Sequence, residues 1–281
     1  MGPLAHKLMG IVLAVAGTYL VILLVLWTMQ ERITFPAPRA PLPDPVQTLG
    51  YGDRIELKMQ DGTNLVGWYL SPAPAPQSAA RRAPPFPALL WFYGNGETIA
   101  AIWPIIRDFR PPNAALLVLD YPGYGGSGGR TAEAGLYEAA DLGYRELTRR
   151  PEVDPHRIYV YGRSLGSAAA THVAATHEVA GMILESPFTS ARAMATRHYA
   201  LFPKALVRLR LDNLGRIENI RCRTLIFHGN ADKLVPMEMG KELAAAAGGP
   251  VEFVIIDGAG HNDTYDMGAQ AYREKMAAFV K

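Results

Sequence analysis

Between residues 88 and 256 the chain alternates short, nearly unbroken apolar runs with longer helical segments. The runs are Ala88–Tyr93, Ala114–Tyr121, Arg157–Gly162, Gly181–Glu185, Thr224–His228 and Val251–Ile256. Runs this rich in Val, Ile, Leu, Phe and Tyr, without polar alternation, fit parallel strands buried on both faces. The segments between them, such as Ala132–Arg149 and Ala168–His177, have helical composition. Strand–helix alternation of this kind predicts an α/β fold, a mostly parallel central sheet with helices on both sides. Upstream, Arg54–Met59 and Leu65–Leu70 flank Asp61-Gly62 and read as a hairpin that adds antiparallel strands at one edge.

The N-terminus has a different character. Leu8–Met29 is 22 residues without a charge, flanked by Lys7 and by Glu31 and Arg32. As a helix it would be roughly 33 Å long, enough for a hydrocarbon core of about 30 Å. The rival is a cleaved signal peptide with Ala14-Val15-Ala16 as its processing site. Only Leu8–Leu13 of the apolar run precedes that tripeptide, and the run continues through Trp27, so an uncleaved anchor is the better reading. Lys7 on one side nearly balances Arg32 and Arg39 on the other, which leaves the orientation open. The expected organisation is an anchor at 1–32, a linker at 33–49 and a catalytic domain at 50–281. The linker carries Pro36, Pro38, Pro41, Pro43 and Pro45 and is expected to be an extended spacer. Pro72–Pro87 reads as an exposed loop.

A net charge of +2 gives no reason to expect a nucleic-acid partner. The single cysteine, Cys222, excludes an intrachain disulfide and sits among apolar neighbours as a buried thiol would. His172 and His177 are five apart on a predicted helix and do not share a face, and no metal-ligand cluster is expected. Gly123-x-Gly125-x-x-Gly128 matches a dinucleotide fingerprint, but no helix opens directly after it, so it reads as a structural loop.

The sharpest chemical signal is Gly162-Arg163-Ser164-Leu165-Gly166. It joins a predicted strand to an Ala-rich helix, the place where a strained turn lifts a serine hydroxyl above a sheet. Serine is a weak nucleophile and needs an oriented base. Of seven histidines, only His261 lies in a glycine-bracketed loop after the last strand. Asp232, just beyond Thr224–His228, is the favoured acid because the order Ser, Asp, His then fits; Glu185, at the end of the preceding strand, competes. The expected oxyanion donors are the backbone N–H groups of Leu165 and Asn95, the latter in Tyr93-Gly94-Asn95-Gly96. Asn262-Asp263-Thr264 fits a glycosylation pattern, but a glycan there would obstruct His261. Leu201–Leu214 mixes Leu, Val and Phe with Lys204, Arg208 and Arg210. It reads either as a helix packed on the sheet or as a basic amphipathic segment that touches anionic lipid.

Together these residues resemble the α/β-hydrolase superfamily, and within it the membrane-anchored group of BEM46-type proteins and the α/β-hydrolase domain-containing proteins 13 and 17. The resemblance rests on the anchor, Asn95, Asp120-Tyr121-Pro122-Gly123-Tyr124-Gly125, the Ser164 turn, Glu185-Ser186-Pro187-Phe188-Thr189, His228-Gly229 with Asp232, and Gly260-His261. It implies a membrane-bound serine hydrolase of ester, thioester or lipid-acyl substrates, without a cofactor; some relatives remove palmitoyl groups from proteins. Tyr93 departs from the family, which usually has histidine there, so the oxyanion loop is expected to be held differently. Two alternatives stand beside this reading: an aminopeptidase or amide hydrolase with the same triad, and a catalytically silent membrane-anchored binding protein.

Overall fold

The computed structural model describes residues 2–72 and 84–281. Most of the predicted Pro72–Pro87 loop therefore lies outside the described residues, and its last two positions already belong to a strand. Eight strands form one sheet: β1 (Asp53–Lys58), β2 (Asn64–Leu70), β3 (Phe86–Phe92), β4 (Ala115–Leu119), β5 (Val153–Arg163), β6 (Gly181–Glu185), β7 (Arg223–Gly229) and β8 (Val251–Ile256). Their order is β1-β2-β4-β3-β5-β6-β7-β8. The expected hairpin forms the edge, with β1–β2 and β2–β4 antiparallel; all remaining pairings are parallel.

The helices are α1 (Pro3–Thr34), α2 (Pro45–Leu49), α3 (Ile99–Phe109), α4 (Glu133–Arg149), α5 (Gly166–Thr176), α6 (Ala191–His198), α7 (Asn213–Ile217), α8 (Met237–Ala246) and α9 (Thr264–Phe279). From β3 the chain crosses through α3 to β4 on one side; from β4 it returns through α4 past β3 to β5. Parallel crossovers are right-handed, so this reversal puts α3 and α4 on opposite faces of the sheet. α9 packs beside α3, while α4, α5, α7 and α8 pack one against the next. The interior strands β4 and β6 are wholly buried, as two-sided coverage requires. The reversal also opens a crevice beyond the carboxyl ends of β3 and β5, where ligands bind in open α/β sheets.

Helix α1 is one continuous helix, long enough to cross a membrane, with a mean hydropathy of 2.6 over its most apolar 18 residues and no buried residue. The proline-rich stretch after it corrects the expectation of a free spacer. Phe35 and Leu42 are buried in the body. Pro43 O accepts from Trp68 Nε1 at 2.9 Å, Leu42 O from Arg54 Nη1 at 2.7 Å, and Pro38 O from Gly125 N at 2.8 Å. Extended, proline-rich backbone leaves its carbonyls without internal partners, and here donors on the body take them up. Asp44 then caps the short helix α2 through Val46 N at 2.8 Å. The folded body therefore begins at Phe35 rather than at residue 50.

Leu201–Leu214 also differs from the expectation of a helix packed on the sheet. It holds a single 3-10 turn, Lys204–Leu206, and the start of α7, and is otherwise irregular. It is a strap along α1, not a helix on the sheet. Gln30 Nε2 donates to Leu206 O at 2.8 Å, Arg208 N donates to Gln30 Oε1 at 2.7 Å, and Arg208 lies 4.7 Å over the Trp27 ring. Proline at 203 and a left-handed residue at Leu211 (φ 38°) interrupt any longer helix.

Candidate active site

Ser164 follows β5 directly and has φ 49°, a left-handed conformation that costs a side-chain-bearing residue about 1–2 kcal/mol. The surroundings over-determine it. Ser164 N donates to Glu185 O at 2.9 Å, and Ser164 O accepts both the N–H and the hydroxyl of Ser167, at 2.9 and 2.6 Å. The flanking glycines are required by close approach. A Cβ on Gly162 would lie 2.4 Å from Gly166 O, and one on Gly166 would lie 2.3 Å from Phe92 O. The elbow can thus be this tight only with glycine at both positions.

His261 Nε2 stands 3.0 Å from Ser164 Oγ, and His261 Nδ1 stands 2.7 Å from Asp232 Oδ2. A carboxylate only accepts, so Nδ1 carries the proton and Nε2 is free to accept from the serine hydroxyl. Asp232 Oδ1 accepts from Leu234 N and Val235 N at 2.9 and 2.8 Å, which fixes the carboxylate. Burial pushes the Asp232 carboxyl up, but its bond to His261, the charge there and the Val235 N–H outweigh that and hold it below the usual carboxylate range. Asp232 is therefore ionised at neutral pH.

The competing acid is elsewhere. Glu185 is fully buried, accepts from Tyr272 Oη at 2.7 Å, and is also bonded to Tyr161 and Thr264. Burial first, then the charge of Glu185, pushes the Tyr161 and Tyr272 phenols well above their ordinary range, so they remain donors. Asp263 accepts from Gly260 N at 2.6 Å and braces the histidine loop.

Asn95 and Leu165 both line, with Ser164, a cavity of about 480 Å³. Among the described residues, no turn or loop hydrogen bond takes up the backbone N–H of either one. The Asn95 side chain is committed: Nδ2 donates to Thr34 O at 2.7 Å and Oδ1 accepts from Tyr124 Oη at 2.7 Å. Tyr93, in place of the expected histidine, is buried; its hydroxyl donates to Asp120 Oδ1 and accepts from Tyr121 N, at 3.0 and 3.1 Å. Asp120 also accepts from Ile99 N and Gly126 N at 3.0 and 3.1 Å. A Cβ on Gly125 would lie 2.0 Å from Asp120 Oδ2, so the glycine-rich loop is shaped to close on this carboxylate.

Sequence reasoning missed Arg163. Its Nη1 donates to Glu97 Oε1 at 2.7 Å, and its Nη2 donates to His261 O at 2.9 Å and to Asn262 Oδ1 at 2.7 Å. Glu97 Oε2 in turn accepts from Gly94 N at 2.6 Å. One buried guanidinium thus links the serine turn, the histidine loop and the loop bearing Asn95. A charge closing the otherwise apolar run before Ser164 was the available signal. His228 was missed too: it is fully buried, donates from Nε2 to Val235 O at 2.9 Å, and lies 3.6 Å from Asp232 Oδ2. Away from the site, His172 and His177 do meet, each Nε2 lying about 3 Å from Asp141 Oδ1. They meet because α5 ends at Thr176 and His177 is extended, with φ −133°, so the two are not held to helical spacing. Among the described residues no group of three or more His, Cys, Asp or Glu is arranged to hold a metal.

Comparison with known proteins gives a consistent result. A family model described as "Serine aminopeptidase, S33" matches residues 83–214. The chain is 32% identical over 245 residues to uncharacterized protein Rv2307c of Mycobacterium tuberculosis, covering 86% of this chain and 84% of that protein. It is 33% identical over 171 residues to human alpha/beta hydrolase domain-containing protein 17B, covering 60% of this chain and 57% of that protein. The Pyrococcus furiosus esterase Pf2001 superposes with a TM-score of 0.69 at 19% identity, over 87% of this chain and 97% of that one.

Proposed function

Since the chain belongs to the α/β-hydrolase superfamily and is a hydrolase of that family, we propose that it is a membrane-anchored serine hydrolase that cleaves acyl esters or thioesters through an acyl-enzyme. The observation that carries this reading is the unbroken relay Asp232–His261–Ser164, at 2.7 and 3.0 Å, with its serine in the wall of an apolar cavity.

Ser164 Oγ attacks the acyl carbonyl while its proton passes to His261 Nε2, and Asp232 stabilises the resulting imidazolium. The backbone N–H groups of Leu165 and Asn95 receive the oxyanion. His261 then gives the proton to the departing alcohol or thiol as the carbonyl re-forms, leaving the acyl group on Ser164. Water, deprotonated by His261, attacks that ester; its collapse releases the acid and returns the proton to Ser164. Helix α1 is read as a single-pass anchor, supported by its uncharged run and by the lack of any buried residue along it.

The description of the matching family favours a second reading, cleavage of N-terminal aminoacyl amides. Holding an α-ammonium group calls for an anion near the serine, and no Asp or Glu is among the described residues that line the cavity. Phe188, Met194, Phe202, Val207 and Leu209 line it instead, which suits a hydrocarbon chain. Turnover of a panel of acyl p-nitrophenyl esters and thioesters against aminoacyl arylamides tests the choice. Ester and thioester cleavage well above arylamide cleavage is expected; the reverse order would assign the protein to amide hydrolysis.

A further inference from the structure

The cavity containing Ser164 has one wall that does not come from the sheet or its helices. Leu26, Gln30, Ile33 and Thr34 of α1 line it, together with the strap residues Phe202, Val207 and Leu209. The spacing of these helical positions, together with Tyr19 and Trp27, defines one face of α1. That face is fastened to the body from Tyr19 to Thr34. Tyr19 Oη donates to Leu201 O at 2.6 Å, Gln30 exchanges two hydrogen bonds with the strap, and Thr34 O accepts from the Asn95 side chain.

The fastened stretch overlaps the stretch suited to lipid. The uncharged run is Leu8–Met29, and contacts to the strap begin at Tyr19. At 1.5 Å per residue, Tyr19 to Met29 is about 15 Å of helix, roughly half a hydrocarbon core. At the tip of the strap, beside Tyr19, Leu201 is 82% exposed and Tyr199 49% exposed. A spanning helix therefore carries the strap, and the cavity that both line, to bilayer depth. An acyl chain lying in that hydrocarbon is the occupant that matches both the apolar lining and the position.

We propose that α1 is the outer wall of the acyl site as well as an anchor, and that the acyl chain of a membrane-resident ester or thioester reaches Ser164 laterally, between α1 and the strap, without passing through water. This rests on the serine-hydrolase reading above. The carbonyl end meets Ser164 and the two backbone N–H groups, while the tail lies along Leu26 and Ile33.

The test uses the full chain in phosphatidylcholine vesicles, with palmitoyl and acetyl p-nitrophenyl esters. Leu26→Trp should lower the palmitoyl-to-acetyl turnover ratio by about tenfold or more, because an indole occupies the tail's path. Val21→Trp, on the opposite face and 61% exposed, should leave the ratio unchanged. In wild-type protein, an alkyl fluorophosphonate with a terminal diazirine should crosslink to α1 or the strap after reaction at Ser164, a readout that needs no variant to fold. An unchanged ratio in Leu26→Trp, or crosslinks only outside α1 and the strap, would overturn the lateral route while leaving the hydrolase reading intact. Wild-type protein that takes up no fluorophosphonate would end the hydrolase reading itself.

Discussion

Arg163 Nη2 donates to the carbonyl oxygen of His261 at 2.9 Å, so the residue before Ser164 holds the loop that carries His261. The same side chain reaches Glu97, whose other oxygen accepts from Gly94 N. Its Nε is 3.4 Å from Glu185 Oε1. Burial alone would lower the Arg163 pKa, but the facing Tyr265, Glu185 and Glu97 raise it, and the group stays charged.

Two losses are expected on replacing Arg163. Arg163→Met leaves buried Glu185 and half-buried Glu97 without their cation, which should cost about 3–5 kcal/mol of stability, measured by denaturant unfolding. Arg163→Lys keeps the charge but cannot make the forked contacts. It should stay folded yet lose turnover, with kcat falling about tenfold or more and KM little changed, because the oriented groups act on the reacting atoms rather than on the bound tail. Full activity in Arg163→Lys would show that the forked contacts are dispensable.

Asp232→Asn keeps a side chain of the same shape but lets the amide donate to His261 Nδ1, which leaves Nε2 protonated and unable to accept from Ser164. Turnover should fall by about 10⁴ with the fold unchanged. Glu185→Gln is the matching control, since Glu185 makes no bond to His261: it should perturb stability far more than the Asp232 change does. A larger loss of turnover per folded molecule in Glu185→Gln would reverse the assignment of the acid.

What the sequence made legible, and what it hid, follows from how local each signal is. The interior strands were readable because burial on both faces removes polar residues, and the elbow was readable because Gly162 and Gly166 admit no Cβ. The packing of Phe35 to Leu49 was hidden, since proline spacing reports backbone conformation and not where its carbonyls find donors. The strap was hidden for a related reason: its partner is α1, about 180 residues earlier in the chain. His172 and His177 were misjudged because helical periodicity stops where the helix does.

His228 predicts a pH dependence of stability. Burial is the main cause that lowers its pKa, and Val235 O and the Asp232 charge only partly oppose it. A histidine depressed in the fold contributes stability that is fully present above its unfolded value of about 6.5 and is lost as pH falls through the folded value. Melting temperature should therefore decline between pH 7 and pH 5, and His228→Asn should flatten that slope, whatever it does to the absolute value. Parallel slopes in wild type and variant would assign the decline to other groups.

The anchor makes its own prediction. With 22 uncharged residues in an exposed helix, the full-length protein should remain in the membrane pellet after alkaline carbonate washing, and the intact mass should include the first 32 residues. Release into the wash, or a mature protein starting after Ala16, would replace the anchor by a processed signal.

The central claim is that Ser164 is the nucleophile, and covalent labelling tests it most directly. Full-length protein treated with a fluorophosphonate and digested should give one modified peptide, with the adduct on Ser164 Oγ. Ser164→Ala should give none and should lose turnover by about 10⁶. Labelling that persists in Ser164→Ala, or a wild-type protein that takes up no adduct while correctly folded, would contradict the account.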